Sequence, residues 1–355
     1  MTSEIVVASG SYGAGHDAAA DALVGQLESA GHRVSRLDVA EELPWRIGRL
    51  LRRLYFAQLR IMPRTWGTTL RHLQHDGLLA RAVCWLLGVL GRPMIRRLAG
   101  ADLVISTHPF ASQALGAARA DGRLGAQVVT YLTDASVHRL WVHQHVDRHL
   151  AIHAIAAVQA EALGGRSVVV EPAVPTSATS VPSGWLAPWP DGRPAALVVG
   201  GSCGVGELRA TALDVLATGL MTPVVVCGTN ERLREQLRTV PGLVALGWRD
   251  DLPALLARAT CVLQNAGGMT SLESLALGTP TLTYRPIPGH GHTNARALDD
   301  AGLVPWVQDQ DSLTPALARI LLSDVSSALP ADAPSALEVM EQLALLPRRT
   351  PVLAA

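Results

Sequence analysis

Two glycine clusters in this chain have the spacing that holds phosphate, and a histidine closes the first of them. Ile5-Val6-Val7-Ala8 runs into Gly10-Ser11-Tyr12-Gly13-Ala14-Gly15-His16, and Leu197-Val198-Val199-Gly200 runs into Gly201-Ser202-Cys203-Gly204-Val205-Gly206. Each is a β-branched run, then G-S-x-G-x-G, then a helix-forming stretch, which is the strand, glycine turn and helix of a nucleotide-binding βαβ unit. At such a helix start, unpaired N–H groups and the helix dipole receive phosphate. Tight packing of strand on helix calls for the same glycines, so the loops alone leave both uses open. His16 has the chemistry of a general base because imidazole titrates near neutral pH, although a capping or core histidine would fit the same position.

A denser constellation is Gln264-Asn265-Ala266-Gly267-Gly268-Met269-Thr270-Ser271-Leu272-Glu273, which follows another apolar run. Thr270 or Ser271 is placed to cap a helix, with Glu273 one turn inside it. The pattern offers N–H groups to a diphosphate and a carboxylate to ribose hydroxyls, and a capping box of Thr270 with Glu273 uses the same residues. Next comes Tyr284-Arg285-Pro286-Ile287-Pro288-Gly289-His290-Gly291-His292-Thr293-Asn294, a rigid polar loop between a strand and a helix. No metal is expected there, since His290 and His292 lack a third ligand. The five histidines from His138 to His153 cross a loop and a strand and are not expected to share one either.

The elements that must carry these groups alternate between strand and helix. Strands are expected at Asp102–Thr107, Gln127–Leu132, Val168–Val170, Pro223–Cys227, Leu243–Leu246, Thr260–Gln264 and Pro280–Tyr284, besides the two that open the halves. The fold class is therefore α/β, with parallel sheets and crossover helices in both halves. Prolines 172, 175, 182, 188, 190 and 194 rule out regular structure between Glu171 and Pro194. This gives a Rossmann-like domain over 1–172, a linker over 173–194, a second such domain over 195–330, and a helix and tail over 331–355. Within the first domain, residues 44–98 form a helical insertion rich in arginine (46, 49, 52, 53, 60, 64, 71, 81, 92, 96 and 97) and aromatics (Trp45, Tyr55, Phe56, Trp66, Trp85). Arginine with interfacial aromatics suits peripheral contact with an anionic bilayer, while a solvated basic face would show the same composition.

Composition sets the bounds. A length of 355 residues favours two domains, and 48% hydrophobic against 17% charged residues allows well-packed cores. Net charge is zero, so no whole-protein attraction to nucleic acid is expected. All 30 basic residues are arginine, whose planar fork suits phosphate and carboxylate. Cys84, Cys203, Cys227 and Cys261 form no C-x-x-C pair, which fits a reducing cytosol. The start MTSEIVVASG reads directly into a strand rather than a secretory leader, and no run is long enough to span a membrane. The expected location is the cytoplasm, including the cytoplasmic face of the membrane.

In their order, these motifs resemble the monogalactosyldiacylglycerol synthase and processive diacylglycerol glucosyltransferase family, itself similar to the transferase that adds N-acetylglucosamine to the lipid-linked peptidoglycan precursor. The resemblance rests on Ser9 to His16, on Ser106-Thr107-His108-Pro109, on Thr133-Asp134 through His138, Trp141 and Val146-Asp147-Arg148, on Gly247-Trp248-Arg249, and on Gly267 to Glu273 with Pro286 to Asn294. It implies a GT-B fold, two Rossmann-like domains facing each other across a cleft, and inverting transfer without a bound metal or other cofactor. The acceptor would lie in the amino-terminal half and a UDP-sugar in the carboxyl-terminal half. His16 inherits the role of general base. Gly13, Ala14, Gly15, His108, Asp134, His138 and Trp141 inherit the acceptor side. Gly201, Ser202, Gly204, Gly267, Gly268, Met269 and Thr270 inherit the diphosphate, Trp248 and Arg249 the base, Glu273 the ribose, and Gly289, His290 and Asn294 the sugar.

The chain departs from the family's pattern at three positions. A glutamine and an acidic residue usual after Pro-Gly are replaced by His290 and Gly291, and a usual lysine by Asn265. Losing a carboxylate there removes a charge-assisted hydrogen bond of about 1.5–3 kcal/mol, enough to alter sugar preference. The expected activity is transfer of a hexose from a UDP-sugar to a hydroxyl acceptor, a membrane lipid such as diacylglycerol. The alternatives are a soluble natural-product or lipid-linked cell-wall acceptor and, in another class, a nucleotide-binding protein without turnover.

Overall fold

The computed structural model describes residues 2–11, 13–42, 47–50, 53–54, 77–173, 192–322 and 332–349. Tyr12, most of the proline-rich linker, and Trp45, Arg46, Arg52, Tyr55, Phe56, Arg60, Arg64, Trp66 and Arg71 of the insertion lie outside the described residues. The chain divides into two compact units, Met1–Pro175 with Asp332–Ala355, and Thr176–Ala331.

In the first unit, six parallel strands are ordered β2-β1-β3-β4-β5-β6 among the described residues. They are β1 (Glu4–Ser9), β2 (Arg33–Asp38), β3 (Leu103–Ser106), β4 (Gln127–Tyr131), β5 (Arg148–Ala151) and β6 (Ser167–Val169). Every residue of β3 and β4 is buried, as expected of parallel strands covered on both faces. The helices α1 (Ala14–Ser29), α2 (Leu78–Leu90) and α3 (Pro109–Ala120) cross over between strands. Strands β1 and β3 pair with Ala8 opposite Ser106. The turns leaving both strands therefore emerge side by side where the strand order reverses, the place at which open α/β sheets hold ligands.

The second unit has the order β12-β11-β10-β7-β8-β9. Its strands are β7 (Ala195–Val199), β8 (Thr222–Val226), β9 (Val244–Leu246), β10 (Cys261–Gln264), β11 (Thr281–Tyr284) and β12 (Trp306–Val307). The helices that matter for the site are α4 (Leu208–Thr218), α5 (Met269–Ala276) and α6 (His290–Asp300). Order reverses between β7 and β10, which pair with Val199 opposite Gln264. The second glycine loop and the Asn265–Gly268 turn thus leave the sheet as neighbours.

Strands β2, β5 and β12 were not among the expected ones. Strand β2 is an edge strand whose Arg33, Ser35 and Arg36 face solvent, so its sequence carries little apolar signal. Strand β5 is short and includes Arg148 and His149, and β12 has two residues.

The carboxyl-terminal segment is part of the first unit. Helix α7 (Ala336–Ala344) starts with a capping box between Ser335 and Glu338 and packs against α1, β3 and β4. Arg348 Nε donates to Asp102 at 2.8 Å, the Arg349 N–H to Gly125 O at 2.9 Å, and Gln127 Nε2 to Pro347 O at 3.0 Å.

Asp147, in one of the segments carrying the family resemblance, sits in this framework. Arg119 Nη2 donates to both carboxylate oxygens at 2.7 and 2.8 Å, and the Val128 N–H donates at 2.8 Å. The Arg119 side chain is wholly buried and Asp147 nearly so. Truncating one partner strands the other charge, at a cost of about 3–5 kcal/mol. Asp147→Ala should lose stability by that amount in urea unfolding, and a loss under about 1 kcal/mol would show the pair to be dispensable.

Candidate active site

The turn after β1 ends at Gly13, whose extended backbone caps α1 without a side-chain bond. His16 lies in the first turn of α1, and its Nδ1 is 2.9 Å from the Thr107 carbonyl oxygen just beyond β3. A carbonyl only accepts, so Nδ1 carries the proton and Nε2 keeps its lone pair. Thr133 Oγ1 lies 3.0 Å from the same Nδ1 and Thr107 Oγ1 donates to His16 O at 3.1 Å, so three segments hold this ring. Burial lowers the His16 pKa, opposed by the charge of Asp134, the Thr107 carbonyl and Asp17. The imidazole is therefore neutral at pH 7, with its basic nitrogen ready to take a proton.

Other residues expected on the acceptor side gather around it. The His108 ring stands edge-on to His16 at 4.7 Å, and Trp141 lies 5.8 Å from His16 and 6.5 Å from His138. Trp141 Nε1 donates to Asp134 Oδ2 at 3.0 Å, which aims the carboxylate. Trp141 and His108 are buried, so they form the bed on which the half-buried His16, Asp134 and His138 rest. His108 caps α3 by accepting from the Phe110 N–H at 3.2 Å, and burial lowers its pKa well below the ordinary value. Gly10 permits this closeness, since a Cβ there would stand 2.6 Å from the His108 ring. Gly15 is partly buried in the same first turn; of Ala14 only the backbone is described.

In the second unit the glycine loop closes on itself, with the Gly204 N–H bonded to Gly201 O and the Val205 N–H to Gly200 O. Its outer carbonyls are occupied too: Thr229 N–H donates to Ser202 O at 2.8 Å and Asn230 Nδ2 to Gly204 O at 3.0 Å. A further set of open donors lies at α5. Its N-cap is Gly268, with no side-chain cap, so neither Thr270 nor Ser271 caps the helix and the alternative use of Thr270 and Glu273 as a capping box is not realised. Gln264 Oε1 accepts from the Ala266 and Gly267 N–H groups. Among the described residues, the N–H groups of Gly268, Met269 and Thr270 have no partner.

The remaining candidates lie on other segments of the second unit, and of them Asn294 contacts the α5 turn. Asn294 Nδ2 donates to Ala266 O at 3.0 Å, fixing the α5 turn to α6. Gly289 is the N-cap of α6, and His290 is its first residue. A Cβ on Gly291 would lie 2.7 Å from Ile287 and 2.8 Å from Asn265 O, so this position has no room for the family's acidic side chain. Trp248, on the loop after β9, is 53% exposed and donates from Nε1 to Asp250 at 2.8 Å. The Arg249 side chain is engaged with Asp251. His292 Nδ1 lies 3.1 Å from Ile287 O and its ring packs on Trp306, which makes it structural. Among the described residues, no three His, Cys, Asp or Glu side chains converge in a group able to hold a metal.

Sequence reasoning placed Thr107, Thr133 and Gln264 within motifs without giving them a role, and passed over Asp214. Thr107 acts through its carbonyl, which no side-chain pattern reveals, and Asp214 reaches the site only through a contact some seventy residues distant in sequence.

The chain is similar to known proteins in two ways. Residues 16–171 match the family model of monogalactosyldiacylglycerol (MGDG) synthase, within the first unit. A processive diacylglycerol β-glucosyltransferase of Bacillus thuringiensis (strain Al Hakam) is 28% identical over 240 residues, which is 63% of this chain. The chain covers 60% of that protein, so it spans about three fifths of the length of the curated relatives it matches. The resemblance read from the motifs is thus borne out. Among solved structures, Acinetobacter baumannii MurG aligns with a TM-score of 0.55 at 18% identity, covering 98% of this chain and all of that one. Arabidopsis thaliana UGT89C1 complexed with UDP aligns at 0.59 and 15% identity, covering 97% of this chain and 100% of that one. The fold is that of GT-B glycosyltransferases.

Glu273 offers a direct check on this geometry. Burial pushes its carboxyl up to about 7, and among the described residues that carboxyl has no hydrogen-bond partner. The folded chain holds this proton more tightly than the unfolded one, whose carboxyl titrates near 4.5. Stability should therefore fall as pH rises from about 4.5 to about 7, by on the order of 3 kcal/mol, and level off above. Urea unfolding should show that slope in the wild type and a flatter one in Glu273→Gln. An unchanged slope would place the carboxyl elsewhere.

Proposed function

We propose that this chain transfers a hexose from a UDP-sugar to a lipid hydroxyl, diacylglycerol being the simplest case, with inversion at the anomeric carbon. The observation that carries the reading is the protonation geometry of His16: Nδ1 bonded to the Thr107 carbonyl leaves Nε2 as a base. In the reaction, Nε2 takes the acceptor hydroxyl proton as that oxygen bonds to the anomeric carbon. The bond from that carbon to the diphosphate oxygen breaks, and its electron pair leaves with UDP. The charge of Asp134 favours the imidazolium so formed.

The negative charge growing on the diphosphate needs a counterpart. The unpaired amides of Gly268, Met269 and Thr270, at the positive end of α5, are suited to it without a metal. Glu273, one turn in, would accept from ribose hydroxyls, with Trp248 beside the base. The likeness to diacylglycerol glucosyltransferases and to a fold seen with UDP bound supports donor and acceptor classes alike.

A lipid acceptor requires an approach to the bilayer, and α2 supports one. Leu78 is 87% and Trp85 70% exposed, with Leu79 and Leu86 also open to solvent on this helix. Arg81 on the same helix, and Arg92 and Arg96 shortly after it in the chain, are exposed as well, a composition suited to a peripheral anchor on anionic lipid. No helix among the described residues is long and apolar enough to cross a membrane.

Two experiments follow. Purified protein with diacylglycerol and detergent should consume at least one of UDP-glucose, UDP-galactose and UDP-N-acetylglucosamine. His16→Ala should slow it by about 10²–10⁴-fold with UDP affinity unchanged. Turnover that ignores the His16 change, or UDP binding without turnover, contradicts the mechanism. In flotation, vesicles containing phosphatidylglycerol should carry the wild type, and Trp85→Ala with Leu86→Ala should weaken binding by about tenfold or more. Failure of the wild type to float would favour a soluble acceptor.

A further inference from the structure

Arg285 is the only non-glycine among the described residues with a left-handed backbone, at φ +49°. An arginine gains nothing from that conformation, and a residue held there is retained only where its surroundings over-determine it. The surroundings are unusually complete. Nε donates to Asp214 Oδ2 at 2.9 Å, Nη2 lies 2.8 Å from the same oxygen, and Nη1 donates to Glu207 Oε2 at 2.6 Å. The guanidinium sits 5.3 Å from the Tyr284 ring centre, while Tyr284 Oη donates to Asp214 at 2.8 Å.

Both acidic partners belong to the element that follows the second glycine loop: Glu207 is the N-cap residue of α4 and Asp214 lies within it. Arg285 begins the segment Arg285–Gly289 that leads into α6. Two residues on, the Ile287 N–H donates to Asn265 O at 2.8 Å, and Asn265 Nδ2 donates to Val205 O at 2.8 Å. The glycine loop, the Asn265 turn and the Arg285 segment are thereby tied into one ring of contacts, each part leaving the carboxyl end of a different strand. Of these ties, only that of Arg285 pulls against a backbone preference.

We propose that Arg285 is a positioning residue: its ion pairs with Asp214 and Glu207 hold the segment Arg285–Gly289 in a bent course that sets the spacing between the glycine loop and the amino ends of α5 and α6. It rests on the reading of those ends as the nucleotide-sugar site. Arg285 touches no ligand in this scheme, and its effect reaches the ligand through the loop it anchors. The neutral Asn265 and Gly291 supply no charge of their own to this ring, so the clamp carries the fixed ionic contacts at its start.

The test separates side chain from backbone. Arg285→Gly removes the clamp but adopts φ +49° freely, so the fold survives; Arg285→Ala removes the clamp and keeps the backbone cost. Asp214→Asn keeps the size and withdraws the shared charge. Amide hydrogen exchange at Ile287 reports the loop without any nucleotide, and calorimetric titration with UDP reports the site. The expected result is faster Ile287 exchange in Arg285→Gly and Asp214→Asn and UDP affinity lower by about tenfold, with Arg285→Lys intermediate and Arg285→Ala the least heat-stable. Unchanged exchange in Arg285→Gly overturns the clamp. Faster exchange with unchanged UDP affinity overturns its role in the site. A wild type that does not bind UDP, while the exchange difference persists, overturns the donor-site reading and the positioning role with it, leaving a purely structural clamp.

Discussion

One hydrogen bond organises the first unit, the 2.9 Å contact between His16 Nδ1 and the carbonyl of Thr107. It joins the first turn of α1 to the end of β3, and it exists because β1 and β3 are adjacent with Ala8 opposite Ser106. A residue early in the chain and one about ninety positions later thus share a site through sheet register alone. A carbonyl partner calls for the proton on Nδ1, which leaves Nε2 unprotonated in the neutral ring. Burial lowers the ring's pKa, while the charge of Asp134, held by Trp141, favours the protonated form.

The second unit repeats the architecture with different groups at its point of reversal. There the sheet reverses between β7 and β10, and the groups exposed at the reversal are amides. Gln264 takes up the Ala266 and Gly267 N–H groups, and Gly268 replaces the side-chain cap that would have taken the next ones. The start of α5 is thereby left with donors and a positive dipole end, which suit the leaving diphosphate of the proposed reaction. In the glycine loop beside it, the Gly204 and Val205 amides are taken up within the loop.

Much of this was legible in the residues. Fully buried parallel strands such as Leu103–Ser106 and Ala195–Val199 announce themselves as continuous apolar runs, and the repeated G-S-x-G-x-G marks the turn after the first strand of each sheet. Edge strand β2 was hidden because its solvent face is arginine and serine. Thr270 looked like a cap by its type, yet the helix begins at Met269, where glycine at the preceding position competes successfully for the N-cap. Asp147 lies in a segment that resembles a ligand motif, and the fold spends it on the buried Arg119. Contacts such as Arg285 with Asp214 depend on which strands become neighbours, which local patterns do not encode.

The central claim is the proton's position on His16, and nitrogen NMR of the ¹⁵N-histidine-labelled protein reads it directly. At pH 7 the account predicts a neutral ring with the proton on Nδ1 and an unprotonated Nε2, charging at a lower pH than exposed histidines do. A proton on Nε2, or an imidazolium at pH 7, would contradict it.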